Sequence, residues 1–241
     1  MLVHGDVTAG EAAWSRQRPL AERWRLLVVD RRGFGDAPAP AGDPGREDFE
    51  VDAADVAALT AAIGPVHLVG HSYGGVVALL AADREPDAVR SLTVIEPPAY
   101  AVARGNPDVE ALLARQRRLV EQARDLPPEE YLRRFLADVG GDPDRVPSPL
   151  GDELERHTRV VMGFRPPWEA EIPLDRLAGA GIPTLVVSGG HGGGFEAICD
   201  VIAGRLGAER SVIAGAGHNV PRVAEALNPL LERFWRGAVA R

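Results

Sequence analysis

The sequence VHLVGHSYGG, residues 66–75, decides the fold. Its first four residues form an apolar, β-branched run that predicts a buried parallel strand, and the spacing G-x-S-x-G around Ser72 follows directly. An apolar helix is predicted over residues 72–82, so the serine lies at a strand–turn–helix junction. Such a turn strains the serine backbone, exposes its hydroxyl and places a helix N-terminus beneath it. Ser72 is therefore the candidate nucleophile; the alternative is a glycine-rich helix start without chemistry.

The same alternation of short apolar runs and helical patterns continues through most of the chain. It predicts an α/β fold with a mostly parallel, doubly wound sheet. The further predicted strands are residues 26–29, 92–95, 184–188 and 211–214, and the predicted helices are 10–22, 49–63, 195–206 and 220–235.

The alternation breaks between residues 96 and 182, where 11 of the 20 prolines lie. Helical patterns over residues 109–123 and 129–139 are the strongest signals there, and no strand signal is comparable. We therefore expect a core of residues 1–96 and 183–241, with residues 97–182 inserted as a helical layer over the strand ends.

Composition narrows the chemistry and the partners. The 241 residues carry a net charge of −8, and all 27 basic residues are arginine, so no lysine is present to form a Schiff base or to complete a P-loop. The acidic balance disfavours nucleic acid and anionic membranes as partners. The single Cys199 is predicted to be buried and unpaired. With no apolar run of membrane-spanning length and no leader pattern, we expect a cytoplasmic protein.

A serine nucleophile requires a base, and His218 is the best candidate among six histidines. It follows the last predicted strand in the loop GAGHNV, residues 215–220, from which it can reach the sheet edge. The alternative is a surface-loop histidine. His67 and His71 have a zinc-like spacing, but that motif requires a helix and these residues lie on a strand and its turn.

Two further motifs carry a resemblance to the α/β-hydrolase superfamily. His4-Gly5-Asp6 resembles the family's H-G-x turn, and residues 30–35, DRRGFG, resemble its D-x-R-G-x-G turn. The resemblance implies that the backbone N–H groups of Asp6 and Tyr73 form an oxyanion hole and that residues 97–182 are a helical cap. It implies no metal and no organic cofactor. The family usually has one or two strands before the H-G turn, whereas this chain reaches it at residue 4, so we expect N-terminal strands to be missing. An exposed sheet edge then makes a homodimer possible.

The acid of the expected triad departs from the family's usual pattern. The family normally places it after the strand predicted at residues 184–188, in a G-x-x-D pattern, but the sequence there is GGHG, residues 189–192. A minority of the family takes the acid one strand earlier, where this chain has Glu96. A carboxylate ending a buried strand requires a partner, and an imidazole N–H is suitable. We therefore predict Glu96 as the acid; Glu196 or a serine–histidine dyad are the alternatives.

These expectations combine into a serine hydrolase acting on an ester, thioester or similar activated carbonyl of a small, largely apolar molecule. Ser72, His218 and Glu96 are the predicted triad. A serine at the nucleophile position argues against haloalkane dehalogenation and epoxide opening. The alternatives are a cofactor-free lyase, cyclase or perhydrolase on the same fold, or a small-molecule receptor with little turnover. His191 is predicted either to border the pocket or to lie in a solvated loop.

Overall fold

The computed structural model describes residues 1–39 and 48–239 and contains one six-stranded sheet in that part of the chain. All neighbouring strands are parallel, in the order β2-β1-β3-β4-β5-β6. The strands are β1 (Leu2–Val3), β2 (Val28–Val29), β3 (Val66–His71), β4 (Val89–Ile95), β5 (Thr184–Ser188) and β6 (Glu209–Val212). The predicted α/β class is therefore confirmed.

Successive residues of the central strands supply two separate cores, one on each face of the sheet. Leu68, Val94 and Val186 belong to one apolar cluster, whereas Val69, Ile95 and Val187 belong to the other. This alternation follows from the two-residue period of a strand and explains why the apolar runs are continuous. Helices cover both faces: α1 (Gly10–Ala13), α2 (Phe49–Ile63), α3 (Tyr73–Arg84), α8 (Gly193–Leu206) and α9 (Ala224–Val239).

Prolines change two of the predicted helices. The pattern over residues 10–22 divides into α1 and a 3₁₀ helix, Ser15–Glu22, which contains Pro19. The pattern over residues 220–235 likewise begins as a 3₁₀ turn, Val220–Arg222, before α9 starts. Proline lacks a backbone donor, so Pro19 interrupts the α-helical hydrogen bonding that apolar spacing alone predicts. The turn before α9 contains Pro221, whereas α9 itself accommodates Pro229.

Strand boundaries also differ from the prediction at one end of the sheet. The last strand was predicted at residues 211–214, but β6 spans Glu209–Val212, because Leu185 of β5 pairs with Glu209. At the opposite end β2 forms the sheet edge in the described part of the chain, and β1, which precedes the H-G turn, lies second from that edge. Among residues 1–39 and 48–239, no helix combines the length and apolarity needed to cross a bilayer.

The segment 97–182, called here the helical segment, is fully described and contains helices without a strand. It comprises α4 (Pro107–Gln122), α5 (Pro128–Asp138), α6 (Asp152–Met162) and α7 (Leu174–Ala180), joined by turns. The two patterns singled out in the sequence correspond to α4 and α5. The segment packs on α8, chiefly through α4 and α7, and on α3 through α7.

Candidate active site

Ser72 occupies a strained turn between β3 and α3. Its φ is 53° and its ψ is −128°, a backbone conformation that residues other than glycine rarely adopt. The turn is held from below, because the Ser72 N–H donates to the carbonyl oxygen of Ile95 at 2.8 Å. Close packing requires glycine at position 74, where an added Cβ would lie 2.3 Å from the carbonyl oxygen of His4. The turn that carries Ser72 therefore packs directly against the H-G turn.

The sheet register places Glu96 beside Ser72. His71 and Ile95 are paired between β3 and β4, so the next residue on each strand emerges at the same edge. Glu96 also has a positive φ, 49°, and its N–H donates to the carbonyl oxygen of Val187 on β5 at 3.0 Å. Its side chain has 0% exposure. Adjacent strand ends thus carry two strained polar residues.

His218 lies between these two residues. Its Nε2 is 2.9 Å from Oγ of Ser72, and its Nδ1 is 3.2 Å from Oε2 of Glu96. The loop that carries it is anchored by His71, whose Nε2 donates to the His218 carbonyl oxygen at 2.8 Å. Burial lowers the pKa of His71 to about 3, with the nearby His218 acting in the same direction, so this ring is neutral and serves as a support.

Glu96 remains ionised despite its burial because three donors surround it. The Gly189 N–H lies 2.7 Å from Oε1, and Nε2 of His191 lies 2.8 Å from Oε2, the oxygen that His218 also contacts. Burial alone would raise the pKa of Glu96. The hydrogen bonds from His191 and His218, the charge of His218 and the Gly189 N–H outweigh burial and lower that pKa to about 2.

The other carboxylates near this edge are bound elsewhere. Glu196 accepts hydrogen bonds from the Ser188 hydroxyl at 2.7 Å and from the Gly190 N–H at 3.0 Å, and it also contacts Arg210. Asp200 pairs with Arg210 at 2.9 Å. In the described part of the chain, the carboxylate oxygen within hydrogen-bond distance of His218 is that of Glu96.

A buried arginine holds the H-G turn in place. Nε of Arg31 donates to the carbonyl oxygen of His4 at 3.0 Å, and an Nη donates to that of Gly5 at 2.8 Å. The second Nη pairs with Asp52 at 3.0 Å. The turn is thereby positioned against the elbow, and the predicted oxyanion residue Asp6 lines the same cavity as Ser72. The other, Tyr73, is the first residue of α3.

The helical segment contacts this turn through His157 of α6. The Gly35 N–H donates to its Nε2 at 3.2 Å, so the proton is on Nδ1, which lies 3.1 Å from the carbonyl oxygen of Val7. Val7 has a φ of 75°, a third strained residue at this edge. Burial and the neighbouring Arg156 lower the pKa of His157, which favours the neutral ring that both contacts require.

A cavity of about 590 Å³ opens above Ser72 and His218. Apolar side chains from α5, α6 and the connection between them form part of its wall, and four charged residues also line it. The apolar residues are Leu132, Phe135, Leu136, Val139, Val146 and Leu154, and the charged ones are Asp6, Asp142, Arg145 and Arg222. Phe135 is thus in the wall, whereas Tyr100, Phe164 and Trp168 pack among themselves in the helical segment.

One group of side chains in the described part has the spacing of potential metal ligands. Atoms of Glu96, His191 and His218 lie within 4.8 Å of one another. Both imidazoles hydrogen-bond to the same carboxylate oxygen, and these bonds account for the arrangement, so we assign the group no metal. His191 is not among the residues that line the cavity; it lies in the loop after β5 with its side chain 16% exposed, and no motif had indicated its contact with Glu96.

The parallel doubly wound sheet, the serine turn after β3 and the histidine after β6 together define the α/β-hydrolase class. The chain belongs to the Alpha/beta hydrolase family, whose model matches residues 1–229. The predicted family is therefore confirmed.

Curated relatives match parts of the chain. The pimeloyl-[acyl-carrier protein] methyl ester esterase of Methylococcus capsulatus is 32% identical over 64% of this chain and 64% of its own length. The lipase LipV of Mycobacterium tuberculosis is 30% identical over 72% of this chain and 62% of its own. In both cases the match spans less than two thirds of the relative.

Solved structures match almost the whole chain. An alpha/beta hydrolase from Sphaerobacter thermophilus is 27% identical, with 97% of this chain and 91% of that one covered at a TM-score of 0.69. NosK from Streptomyces actuosus is 25% identical, with coverages of 98% and 96% and a TM-score of 0.68.

Proposed function

We propose that the protein is a serine hydrolase that cleaves an activated carbonyl, such as an ester or thioester, through Ser72, His218 and Glu96. One observation carries the proposal. A continuous hydrogen-bond chain runs from Oγ of Ser72 through His218 to Oε2 of Glu96, with distances of 2.9 and 3.2 Å, and it begins at the floor of the cavity. The names of the curated relatives, an esterase and a lipase, support the same reaction class.

In the acylation half-reaction, Oγ of Ser72 attacks the substrate carbonyl carbon while Nε2 of His218 takes the hydroxyl proton. The carbonyl π electrons move to oxygen, and the N–H groups of Asp6 and Tyr73 are proposed to stabilise that charge. Collapse of the tetrahedral intermediate breaks the bond to the leaving group, which receives the proton from His218. Glu96 stabilises the imidazolium that exists between these two transfers.

Deacylation repeats the same steps with water in place of the serine. His218 removes a proton from water, the resulting hydroxide adds to the acyl carbon, and the Ser72 oxygen leaves with the proton that His218 returns. Two features favour this cycle: burial of the Glu96 side chain keeps its charge close to the ring, and the low pKa of Glu96 keeps it ionised at neutral pH.

The cavity favours a small acyl group of mainly apolar character. Its wall of leucine, valine and phenylalanine side chains comes from the helical segment, which is why we propose residues 97–182 as a cap. Arg145 and Arg222 also line the cavity, and Arg145 pairs with Asp142, another lining residue, at 3.1 Å. The cap would then set which substrates enter, while core residues 1–96 and 183–241 supply the reacting groups.

The proposal is tested with a chromogenic aryl ester and the variant Ser72→Ala. We expect turnover to fall by roughly 10⁴-fold or more, because the base has no nucleophile to activate. Ser91→Ala is the matched control: Ser91 is also a buried serine next to a histidine, 2.7 Å from Nδ1 of His67, but lies at the start of β4. Circular dichroism and the unfolding midpoint verify that both variants are folded.

The outcomes separate the candidate functions. A pre-steady-state burst of aryl alcohol that vanishes in Ser72→Ala supports the hydrolase. Retention of more than a tenth of the turnover by the variant contradicts it. A wild-type protein that binds small apolar ligands but gives no Ser72-dependent burst is the receptor, and a burst without net hydrolysis indicates a lyase, cyclase or perhydrolase on the same fold.

A further inference from the structure

His191 makes the shorter of two imidazole contacts with Glu96. Its Nε2 lies 2.8 Å from Oε2, compared with 3.2 Å for Nδ1 of His218 on the same oxygen. The other carboxylate oxygen accepts the Gly189 N–H. One buried acid therefore serves two histidines, of which only His218 touches Ser72.

The surroundings of His191 fix its ring in this contact. The side chain is 16% exposed, and the ring packs against Phe195 with centroids 5.7 Å apart. On the opposite side the backbone of Gly140, just after α5, approaches so closely that an added Cβ would lie 2.5 Å from Nδ1 of His191. The ring is thus held between the end of β5 and the helical segment.

We propose that His191 is a positioning residue for the acid: through its hydrogen bond to Oε2 it orients the Glu96 carboxylate toward His218. The inference rests on the proposed hydrolase function. His191 does not contact the reacting atoms, and its effect is transmitted through Glu96.

The charges around His191 favour its protonated form. The groups that face it are Glu96 after β4, Glu196 from α8 and His218 from the loop after β6; the contact from the helical segment, Gly140, is uncharged. The hydrogen bond to Glu96 raises the pKa of His191, burial opposes this effect, and the charges of Glu96 and Glu196 add to it. A protonated His191 strengthens the contact that holds the Glu96 carboxylate in place, because charge then adds to the hydrogen bond.

Two substitutions separate the orienting role from the charge. Gln at position 191 can donate an amide N–H to Glu96 but cannot titrate, whereas Leu removes both. We expect His191→Leu to lower kcat roughly tenfold across the pH range with little change in KM, because Glu96 loses a donor. We expect His191→Gln to restore most of kcat, because its amide N–H can still donate to Glu96. His67→Gln, on β3 beside Ser91, is the control histidine and should leave kcat unchanged.

A second measurement tests the contact itself. Histidine-specific NMR titration, with the His191 signal assigned by its loss in His191→Gln, should show the pKa of His191 above its ordinary value of 6.5 and a fall of that pKa in Glu96→Gln. The proposal is overturned if Glu96→Gln leaves the His191 titration unchanged, if His191→Gln loses as much kcat as His191→Leu, or if His191→Leu keeps full kcat. These results, with turnover still dependent on Ser72, would leave the hydrolase proposal standing; loss of Ser72 dependence would refute that proposal instead.

Discussion

The carboxyl ends of β4 and β5 lie side by side and carry different chemistry. Ile95 pairs with Val187, so the chain leaves both strands at the same level of the sheet. β4 ends in Glu96, a fully buried carboxylate with a positive φ, whereas β5 ends in a glycine-rich loop that presents His191. The α/β-hydrolase resemblance places the acid after the β5 strand. In the triad proposed here the acid follows β4 instead, and the loop after β5 supplies a hydrogen-bond donor to it.

The proposed base, His218, needs a carboxylate within reach of its Nδ1, and either strand end can supply one. Neighbouring strands are about 4.8 Å apart, so a side chain from either end reaches the same place. The two strand ends differ in how much they desolvate a carboxylate. A carboxylate after β4 is enclosed, so its charge depends on donors from the neighbouring loop, here Gly189 and His191. If Glu96 is the acid, the loop after β5 therefore becomes part of the support of the site.

The largest effect should come from Glu96, and the other carboxylate near this boundary, Glu196, should have little effect. Glu96→Gln is expected to lower aryl-ester kcat by roughly 10²- to 10⁴-fold, since the amide cannot stabilise the imidazolium of His218. Glu196→Gln is the matched control, because Glu196 bonds Ser188 and Gly190 near the end of β5, and should stay within about threefold of wild type. Equal losses of kcat in the two variants would contradict the assignment of the acid to Glu96.

A second expectation concerns acid stability. Since the folded protein holds the pKa of Glu96 at about 2, below its ordinary value of 4.5, this group stabilises the fold above pH 4.5 and loses that contribution as pH falls toward 2. The difference in free energy of unfolding between wild type and Glu96→Gln should therefore shift against wild type over this window. Urea unfolding at several pH values measures it. A difference independent of pH would mean that the surrounding donors do not favour the charged form.

The smallest effect is expected from an acid restored to the β5 loop. A Cβ added at Gly192 meets nothing within 4 Å and its φ is −155°, so Asp fits there without strain. That open position lacks the enclosure and the donors that Glu96 has. Gly192→Asp in the Glu96→Gln background should stay within about threefold of Glu96→Gln alone in kcat. Recovery of tenfold or more would show that the β5 position still accepts a working acid.

Much of the fold was predictable because its signals are local. The predicted strands at residues 66–69 and 184–188 correspond to the buried strands β3 and β5. The G-x-S-x-G motif corresponds to the strained turn at Ser72. The errors lie where local pattern and tertiary context disagree, as at Pro19 and at the register of β6. Apolar spacing reports which face is buried, not where a proline interrupts the helix.

The site was predictable where a motif fixes the geometry. The positions of Ser72, His218 and Glu96 follow from strand ends, and the structure brings these three side chains together; their roles remain predictions. His191 was not predictable in the same way. A glycine-rich loop imposes no single conformation, so nothing in its sequence indicates that the ring bends back onto Glu96. The signal available was indirect: a buried carboxylate on the adjacent strand needs more than one donor.

The placement of Ser72, Glu96 and His218 outside the helical segment has an evolutionary consequence. All three lie at strand ends or in a core loop, and Ser72 is tied by its backbone to β4. In the proposed hydrolase, mutations in α5 and α6 would therefore reshape the cavity while Ser72, Glu96 and His218 keep their geometry. New specificities would then arise by drift in one part of the gene, and laboratory recombination would exchange that part as a cassette. Such an exchange must preserve two contacts between the helical segment and the rest of the chain: Gly140 with His191, and His157 with Val7.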